Sequence, residues 1–201
     1  MSSLPCVLLA GGQSRRMAGV HKYECQIGEQ RLLDRILDRL APQVGDIVIN
    51  ANEDIQTDRY PVIKDLNEGF LGPLAGVLTG LRYFAEKETT ASHMLVCPCD
   101  IPFVPTSMVA RMLENQPLSD DTIAMAHSNG RIHPVISLWP FAIADALEQA
   151  LLGEDLRKIR VFAKRYDLKE VHWPEEEGDP FFNVNTQEDL ALANTRAKKE
   201  G

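Results

Sequence analysis

The sequence has few aromatic residues and few basic ones. Aromatic side chains make up 6% of the 201 residues, and 21 Lys and Arg stand against 29 Asp and Glu, which gives a formal net charge of −8. Proteins that bind nucleic acids use basic side chains against many phosphates and, on single strands, aromatic side chains against the bases. We therefore expect no nucleic-acid partner, although a local basic loop can still bind one phosphate group.

The sequence also lacks a long apolar run and a secretion signal. No apolar stretch approaches the roughly 20 residues that a membrane-spanning helix requires, so we expect no membrane association. The N-terminal segment MSSLPCVLLAGG has no basic region before its short apolar stretch, which we interpret as a buried strand. Four cysteines without a secretion signal are typical of reduced thiols, and we predict a cytoplasmic protein.

Short apolar runs alternate with segments of helical period along the chain. The pattern predicts strands at 4–9, 46–50, 60–63, 94–97, 122–126, 134–139 and 168–173, and helices at 31–40, 73–84, 106–114, 141–152, 156–164 and 187–198. This alternation predicts a three-layer α/β/α, Rossmann-like fold with a mostly parallel sheet, and the chain length favours a single domain over residues 1–201. Asn129-Gly130 predicts one hairpin, with a loop that we expect to exceed two residues.

A glycine-rich, basic segment follows the first predicted strand. Leu9 to Lys22 contains three glycines together with Arg15, Arg16 and Lys22. Backbone N–H groups in such a turn can point at an anion, and the basic side chains can neutralise a polyphosphate. The spacing matches neither the Walker nor the dinucleotide pattern, and a solvated surface loop is the alternative. Three basic residues grouped in an acidic chain favour phosphate binding.

Ligands of open parallel sheets bind at the carboxyl ends of the strands. Asp100 ends such a strand, where a carboxylate suits Mg²⁺, whereas a turn aspartate is the commoner structural role. Cys97 and Cys99 lack a second pair at zinc spacing, so we interpret them as packed side chains.

Three other groups of small and amide residues also belong to this edge. The amides of Asn50-Ala51-Asn52 either read a base or ribose or form an ordinary turn, and Gly72 to Gly76 either borders the ligand or permits close helix packing. Asn183 and Asn185 precede the last helix, whose N-cap we predict at Thr186.

Together these segments resemble the molybdenum cofactor guanylyltransferase family of the nucleotidyltransferase superfamily, also called molybdopterin-guanine dinucleotide biosynthesis protein A. The resemblance rests on LAGGQSRRM with Lys22, NAN at Asn50, KD at Asp65, GPLAG at Gly72, CPCD at Asp100, HP at His133 and FNVNT at Phe182. The glycine-rich loop specifies only the superfamily, whereas GPLAG, CPCD and NVNT in combination are much more specific.

The resemblance implies transfer of GMP from GTP to molybdopterin with release of pyrophosphate and with Mg²⁺ as cofactor. It implies catalytic roles for Arg16, Lys22 and Asp100, with the metal on Asp100. The implied nucleotide contacts are Leu9, Ala10, Gly11, Gly12, Lys22, Asn50, Asp65 and Asp100. Asn183 and Asn185 would lie on the molybdopterin side with Arg157-Lys158, so that residues 1–115 bind the nucleotide and 116–201 bind molybdopterin. Such a reaction needs no protein nucleophile, which agrees with the lack of a nucleophile motif in the sequence.

Two residues depart from the family's loop, since Ala18 stands where glycine is usual and His21 where an aspartate is usual. Two other functions remain open from the residues. One is a cytidylyltransferase that acts on molybdopterin or on a sugar or polyol phosphate. The other is a non-catalytic nucleotide-binding protein that delivers the cofactor, and maturation chaperones of molybdoenzymes are candidate partners.

Overall fold

The structure is a computed structural model that describes residues 4–11, 21–67, 69, 72–114, 118–174 and 178–200. Its strands are β1 (Cys6–Leu9), β2 (Gln26–Ile27), β3 (Gln30–Arg31), β4 (Ile47–Asn50), β5 (Val62–Ile63), β6 (His93–Pro98), β7 (Thr122–Ser128), β8 (Arg131–Pro140) and β9 (Asp167–His172). Its α-helices are α1 (Leu32–Leu40), α2 (Pro73–Glu86), α3 (Met108–Leu113), α4 (Ala144–Gly153), α5 (Ile159–Ala163) and α6 (Gln187–Glu200).

Seven strands form one sheet in the order β5-β4-β1-β6-β8-β7-β9. The strands β5, β4, β1 and β6 run parallel, and Leu8 of β1 stands between Ile49 of β4 and Cys97 of β6. Strand β8 is antiparallel to β6 and β7, whereas β9 is parallel to β7. The mostly parallel sheet predicted from the sequence is confirmed. Because β1, β4, β5 and β6 run parallel, their carboxyl ends all lie at one edge of the sheet.

Both faces of the sheet are covered, which explains why its central strands are continuously apolar. All four residues of β1 are buried, and they alternate between two cores. Leu8 belongs to the core that includes Ile36 of α1 and Ala193 of α6. Leu9 belongs to the core that includes Leu78 of α2 and Leu147 of α4. The three-layer α/β/α prediction is thus confirmed.

The β7–β8 hairpin differs from its prediction. The strands extend to Ser128 and Arg131, so the loop consists only of Asn129 and Gly130, with φ of 48° and 67°. Two positive φ values suit the right-handed twist of a two-residue hairpin. The expectation of a longer loop was wrong because Pro134 lies inside β8. A register shift accommodates this proline, since Ala126 pairs with His133 but Met125 pairs with Ser137.

The four cysteines are buried free thiols, and burial raises the pKa of the Cys99 thiol to about 12. The interpretation of Cys97 and Cys99 as packed side chains is confirmed. Over the described ranges, no helix has the length and apolar character needed to cross a membrane.

Candidate active site

A cavity of about 490 Å³ opens where the parallel strands end. It is lined by the residues that follow those strands and by parts of α2 and of the segment before α6. The lining residues are Leu9, Ala10, Gly11, Lys22, Tyr23, Asn50, Asn52, Asp65, Gly72, Pro73, Gly76, Pro98, Cys99, Asp100, Val135 and Asn183. Most of the residues that the sequence suggested for this edge therefore share one cavity.

At this cavity Lys22 contacts side chains that are distant from it in the sequence. Its Nζ donates a hydrogen bond of 2.7 Å to Asp100 Oδ2 and contacts Asn183 Oδ1 at 3.5 Å. It also donates to Asn185 Oδ1. These partners lie 78 to 163 residues away in sequence. Asn185 does not line the cavity, but it is held at the cavity's edge through Lys22.

The two carboxylate oxygens of Asp100 differ, since Oδ2 pairs with Lys22 and Oδ1 has no hydrogen-bond partner among the described residues. Its Oδ1 is buried and accepts no hydrogen bond from the described residues. A buried carboxylate oxygen without a donor is costly, so the site favours a ligand with positive charge. Mg²⁺ typically takes one or two protein carboxylates and completes its shell with water and substrate phosphates. In the described part of the chain no group of three or more Asp, Glu, His or Cys residues could bind a metal ion.

Asp65 is held by two asparagine amides. Asn50 Nδ2 donates to Asp65 Oδ1 at 3.0 Å, and Asn52 Nδ2 donates to Asp65 Oδ2 at 2.9 Å. The backbone N–H of Asp65 donates back to Asn52 Oδ1 at 2.9 Å. The Asn50 and Asn52 amides therefore bind the Asp65 carboxylate and hold it beside the cavity.

The start of α2 approaches this network closely. Gly72 caps the helix with a φ of 75°, and Pro73 begins it. A Cβ at Gly76 would lie only 2.4 Å from Asn50 Oδ1 and 2.6 Å from Leu9 Cδ2. The Gly72 to Gly76 segment thus combines both roles considered for it, because close helix packing brings it to the cavity wall.

The segment before α6 is fixed from both sides. The backbone N–H of Val184 donates to Asp100 O at 2.9 Å, which places Asn183 and Asn185 beside Lys22. Asp189 N donates to Thr186 Oγ1 at 3.1 Å, which confirms the predicted N-cap. The Asp189 carboxylate accepts the N–H groups of Asn185 and Thr186, and these hydrogen bonds lower the pKa of Asp189.

His21, which replaces the usual aspartate before Lys22, contacts the β4–β5 loop. Its Nδ1 lies 2.9 Å from Glu53 Oε2, and its ring stacks on Tyr23 with centroids 5.2 Å apart. The residue before Lys22 therefore lies beside the residue that follows Asn52.

Some residues that the sequence suggested for the site either lie outside the described residues or do not line the cavity. Gly12, Arg15, Arg16 and Ala18 lie outside the described residues. Arg157 pairs with Asp155 and does not line the cavity, although its backbone oxygen lies 3.8 Å from a Cβ built at Gly72. His133 does not line the cavity; its Nε2 lies 2.8 Å from Ser128 Oγ, and burial lowers its pKa.

Sequence reasoning did not assign Tyr23 or Val135 to the site, and it interpreted Cys99, which also lines the cavity, only as a packed side chain. Tyr23 has no motif of its own beyond its place after Lys22. Val135 reaches the cavity because residues 134–136 form the bulge of β8, and the only sequence signal for that bulge is Pro134 inside a strand.

Residues 6–170 match the family model described as MobA-like NTP transferase domain. The chain belongs to this family. A molybdenum cofactor guanylyltransferase from Rhodopseudomonas palustris (strain BisB5) is 44% identical over 199 residues, which cover 98% of this chain and 95% of the relative. Another, from Bradyrhizobium sp. (strain ORS 278), is 42% identical over 202 residues, with 99% and 95% coverage.

The fold agrees with that of a family member of known structure. The crystal structure of molybdopterin-guanine dinucleotide biosynthesis protein A from Archaeoglobus fulgidus superimposes with a TM-score of 0.75 and 26% identity. The match covers 98% of this chain and all of that one. The family resemblance seen in the motifs is confirmed.

Proposed function

We propose that the protein transfers GMP from GTP to the terminal phosphate of molybdopterin and releases pyrophosphate. The observation that carries this proposal is the Lys22–Asp100 pair at the cavity on the carboxyl edge of the sheet, where the second Asp100 oxygen is buried without a hydrogen-bond partner among the described residues. The relatives named molybdenum cofactor guanylyltransferase align with this chain over nearly their whole length, which supports the same reaction.

The residues suit a reaction that requires positioning and charge neutralisation. A phosphate oxygen of molybdopterin forms a bond to the α-phosphorus of GTP, and the bond from that phosphorus to the oxygen bridging to the β-phosphate breaks. The electron pair of the broken bond leaves with pyrophosphate, and no protein nucleophile takes part. Lys22 would neutralise phosphate charge, and the backbone of Leu9, Ala10 and Gly11 would contact the nucleotide. Gly12 and Arg16 remain predicted members of the phosphate loop.

Asp100 would bind Mg²⁺ in the loaded site. Asp100 lines the cavity and its Oδ1 accepts no hydrogen bond from the described residues, which fits a hard cation that retains water and phosphate oxygens as its other ligands. Such a cation supplies positive charge to the transferring phosphate and the leaving pyrophosphate.

Asp65 lines the cavity, and if its carboxylate binds the base of the nucleotide it would favour guanine over cytosine. Each of its carboxylate oxygens accepts one amide hydrogen bond and keeps a further acceptor position. The Watson–Crick edge of guanine offers two adjacent donors, N1–H and the 2-amino group, which suit a bidentate carboxylate. Cytosine offers a donor beside an acceptor at its N3. This difference supports the guanylyltransferase over the cytidylyltransferase alternative.

The second half of the chain would bind the acceptor. Residues 1–115 contribute most of the cavity wall and would bind the nucleotide, and residues 116–201 contribute Asn183 and Asn185 for molybdopterin within the same domain. We further propose that the protein acts in the cytoplasm and passes its product to maturation chaperones of molybdoenzymes.

The test is pyrophosphate release from the purified full-length protein with MgCl₂, molybdenum-charged molybdopterin and one of GTP, CTP or ATP. We expect pyrophosphate release with GTP and none with CTP or ATP. The Asp100→Ala and Asp100→Asn variants should lose transfer and keep the circular dichroism spectrum of the wild type. Release from CTP would favour the cytidylyltransferase, GTP binding without release would favour the non-catalytic protein, and unfolding of both variants would make Asp100 structural.

A further inference from the structure

Asn52 directs all the hydrogen bonds of its side chain found in the described residues at a single neighbour. Its Nδ2 donates to Asp65 Oδ2 at 2.9 Å, and its Oδ1 accepts the backbone N–H of Asp65 at 2.9 Å. The side chain is otherwise exposed, so it contributes little to the core. An exposed amide that binds both the backbone and the carboxylate of one residue restrains that residue more than it stabilises the fold.

We propose that Asn52 is a positioning residue that sets base specificity by fixing the plane of the Asp65 carboxylate. This inference rests on the proposed function, since it assumes that Asp65 faces the guanine of GTP. Asn52 itself is not placed on the nucleotide.

The carboxylate plane needs such a restraint. The last torsion of an aspartate side chain has a broad energy profile, so packing alone fixes the carboxylate plane weakly. Here Asn50 holds one oxygen and Asn52 the other. The next residue is fastened too, because Leu66 N donates to Thr79 Oγ1 of α2 at 3.1 Å.

The two asparagines differ in what else they do. Both line the cavity, but Asn50 is 4% exposed, its Nδ2 also approaches Ile63 O at 3.4 Å, and a Cβ at Gly76 of α2 would clash with its side chain. A change at Asn50 would therefore disturb the cavity wall directly. Asn52 is exposed rather than packed into the core, so its removal should free the Asp65 carboxylate to rotate and leave the packing of the wall in place.

A rotated carboxylate loses bidentate recognition first. GTP offers two donors to Asp65, whereas ITP lacks the 2-amino group and offers only N1–H. When both oxygens are held in place, the protein should prefer GTP to ITP by the contribution of one charge-assisted hydrogen bond. When the carboxylate turns freely, much of that preference should disappear.

The experiment measures the binding of GTP and of ITP in MgCl₂ by isothermal titration, and KM and kcat for both nucleotides. For Asn52→Ala we expect GTP to bind about tenfold more weakly and ITP about threefold more weakly, so that the GTP/ITP preference falls about threefold. KM should rise and kcat should change little, because the reacting phosphates are held by other residues. Asn52→Asp keeps an acceptor for the Asp65 N–H but places two carboxylates together, and it should lose at least as much affinity for GTP.

Two comparisons make the role of Asn52 distinguishable from a structural one. Asn194→Ala removes amide hydrogen bonds to Gly28 N, Gln26 O and Leu190 O away from the cavity, and it should leave the GTP/ITP preference unchanged. In an Asp65→Ala background, adding Asn52→Ala should change the preference no further, because Asn52 acts through the lost carboxylate.

Several results would overturn the inference. They are an unchanged GTP/ITP preference in Asn52→Ala and Asn52→Asp, an additional loss in the Asp65→Ala background, or an equal effect of Asn194→Ala. An absence of GTP/ITP preference in the wild type would overturn the inference too, because Asp65 would then not read the 2-amino group. Failure of the proposed function has a different signature, since the wild type would then release no pyrophosphate from GTP.

Discussion

Gly76 offers a sharp test of how α2 and the nucleotide site depend on each other. In Gly76→Ala the new methyl group would lie 2.4 Å from Asn50 Oδ1 and 2.6 Å from Leu9 Cδ2. The backbone at Gly76 has no positive φ, so alanine is compatible with the helix itself. The clash with Asn50 is therefore the main consequence of the substitution.

The expected magnitudes follow from two opposing contributions. Alanine inside a helix is favoured over glycine by about 0.5–1 kcal/mol, whereas overpacking costs about 1–3 kcal/mol. The close atoms belong to ends of side chains that can move, so we expect a net loss near 1 kcal/mol and a Tm lower by about 2–4 °C. Moving the Asn50 amide breaks its charge-assisted hydrogen bond to Asp65, which should weaken GTP binding about tenfold.

Gly80→Ala is the matched control on the same helix. Its new methyl group would lie 2.8 Å from Val7 Cβ and 2.9 Å from Met94 Sδ, away from Asn50. Since Val7 Cβ cannot move without its strand, the Tm should fall about twice as far as in Gly76→Ala. GTP affinity should stay at the wild-type value.

Differential scanning fluorimetry and titration with GTP measure the two quantities on both variants. We expect Gly80→Ala to be the less stable variant and Gly76→Ala to be the weaker binder. Wild-type GTP affinity in a folded Gly76→Ala protein would refute the link from α2 through Asn50 to Asp65.

Three further predictions concern charge, the acceptor side and pH. Lys22→Ala should weaken GTP binding and transfer together, because a charge facing the phosphates acts in both the ground state and the transition state, and unchanged GTP affinity by titration would contradict its placement. The double variant Asn183→Ala/Asn185→Ala should keep GTP affinity but raise the KM for molybdopterin, with single changes of about 0.5–1.5 kcal/mol each, and lost GTP binding would assign both amides to the nucleotide. Burial lowers the pKa of His93 below 6.5, so the unfolded chain binds more protons below that pH and stability falls as the pH decreases through it. Urea unfolding at about pH 7.5 and about pH 5.5 should show a smaller pH effect in His93→Gln than in the wild type, and an equal effect would exclude His93 as its source.

The sequence alone determined the layers of the fold and the edge that carries the site. Burial on both faces makes β1 continuously apolar, and helical period marks α1, so these elements follow from local patterns. The residues after parallel strands must lie at one edge, which brought Asn50 and Asp100 together in the prediction. The motifs around them also indicated the family.

Short or irregular elements were not predictable in the same way. The β2–β3 hairpin, which was not predicted, contains only two residues in each strand, whereas β5 was predicted at 60–63 and is confined to Val62–Ile63. Such strands are too short to establish a period. The part of β8 before Pro134 was not predicted, because proline ordinarily ends a strand unless a bulge accommodates it.

Only the tertiary structure decided which side chains meet. Asn52 faces Asp65 across 13 residues, and Lys22 reaches Asn185 across 163. The sequence placed these residues at a common edge but left the asparagines as possible readers of a base. Their actual partners depend on strand order and on the short loops that aim each side chain. Those features arise from packing over the whole sheet, and no local pattern in the sequence contains them.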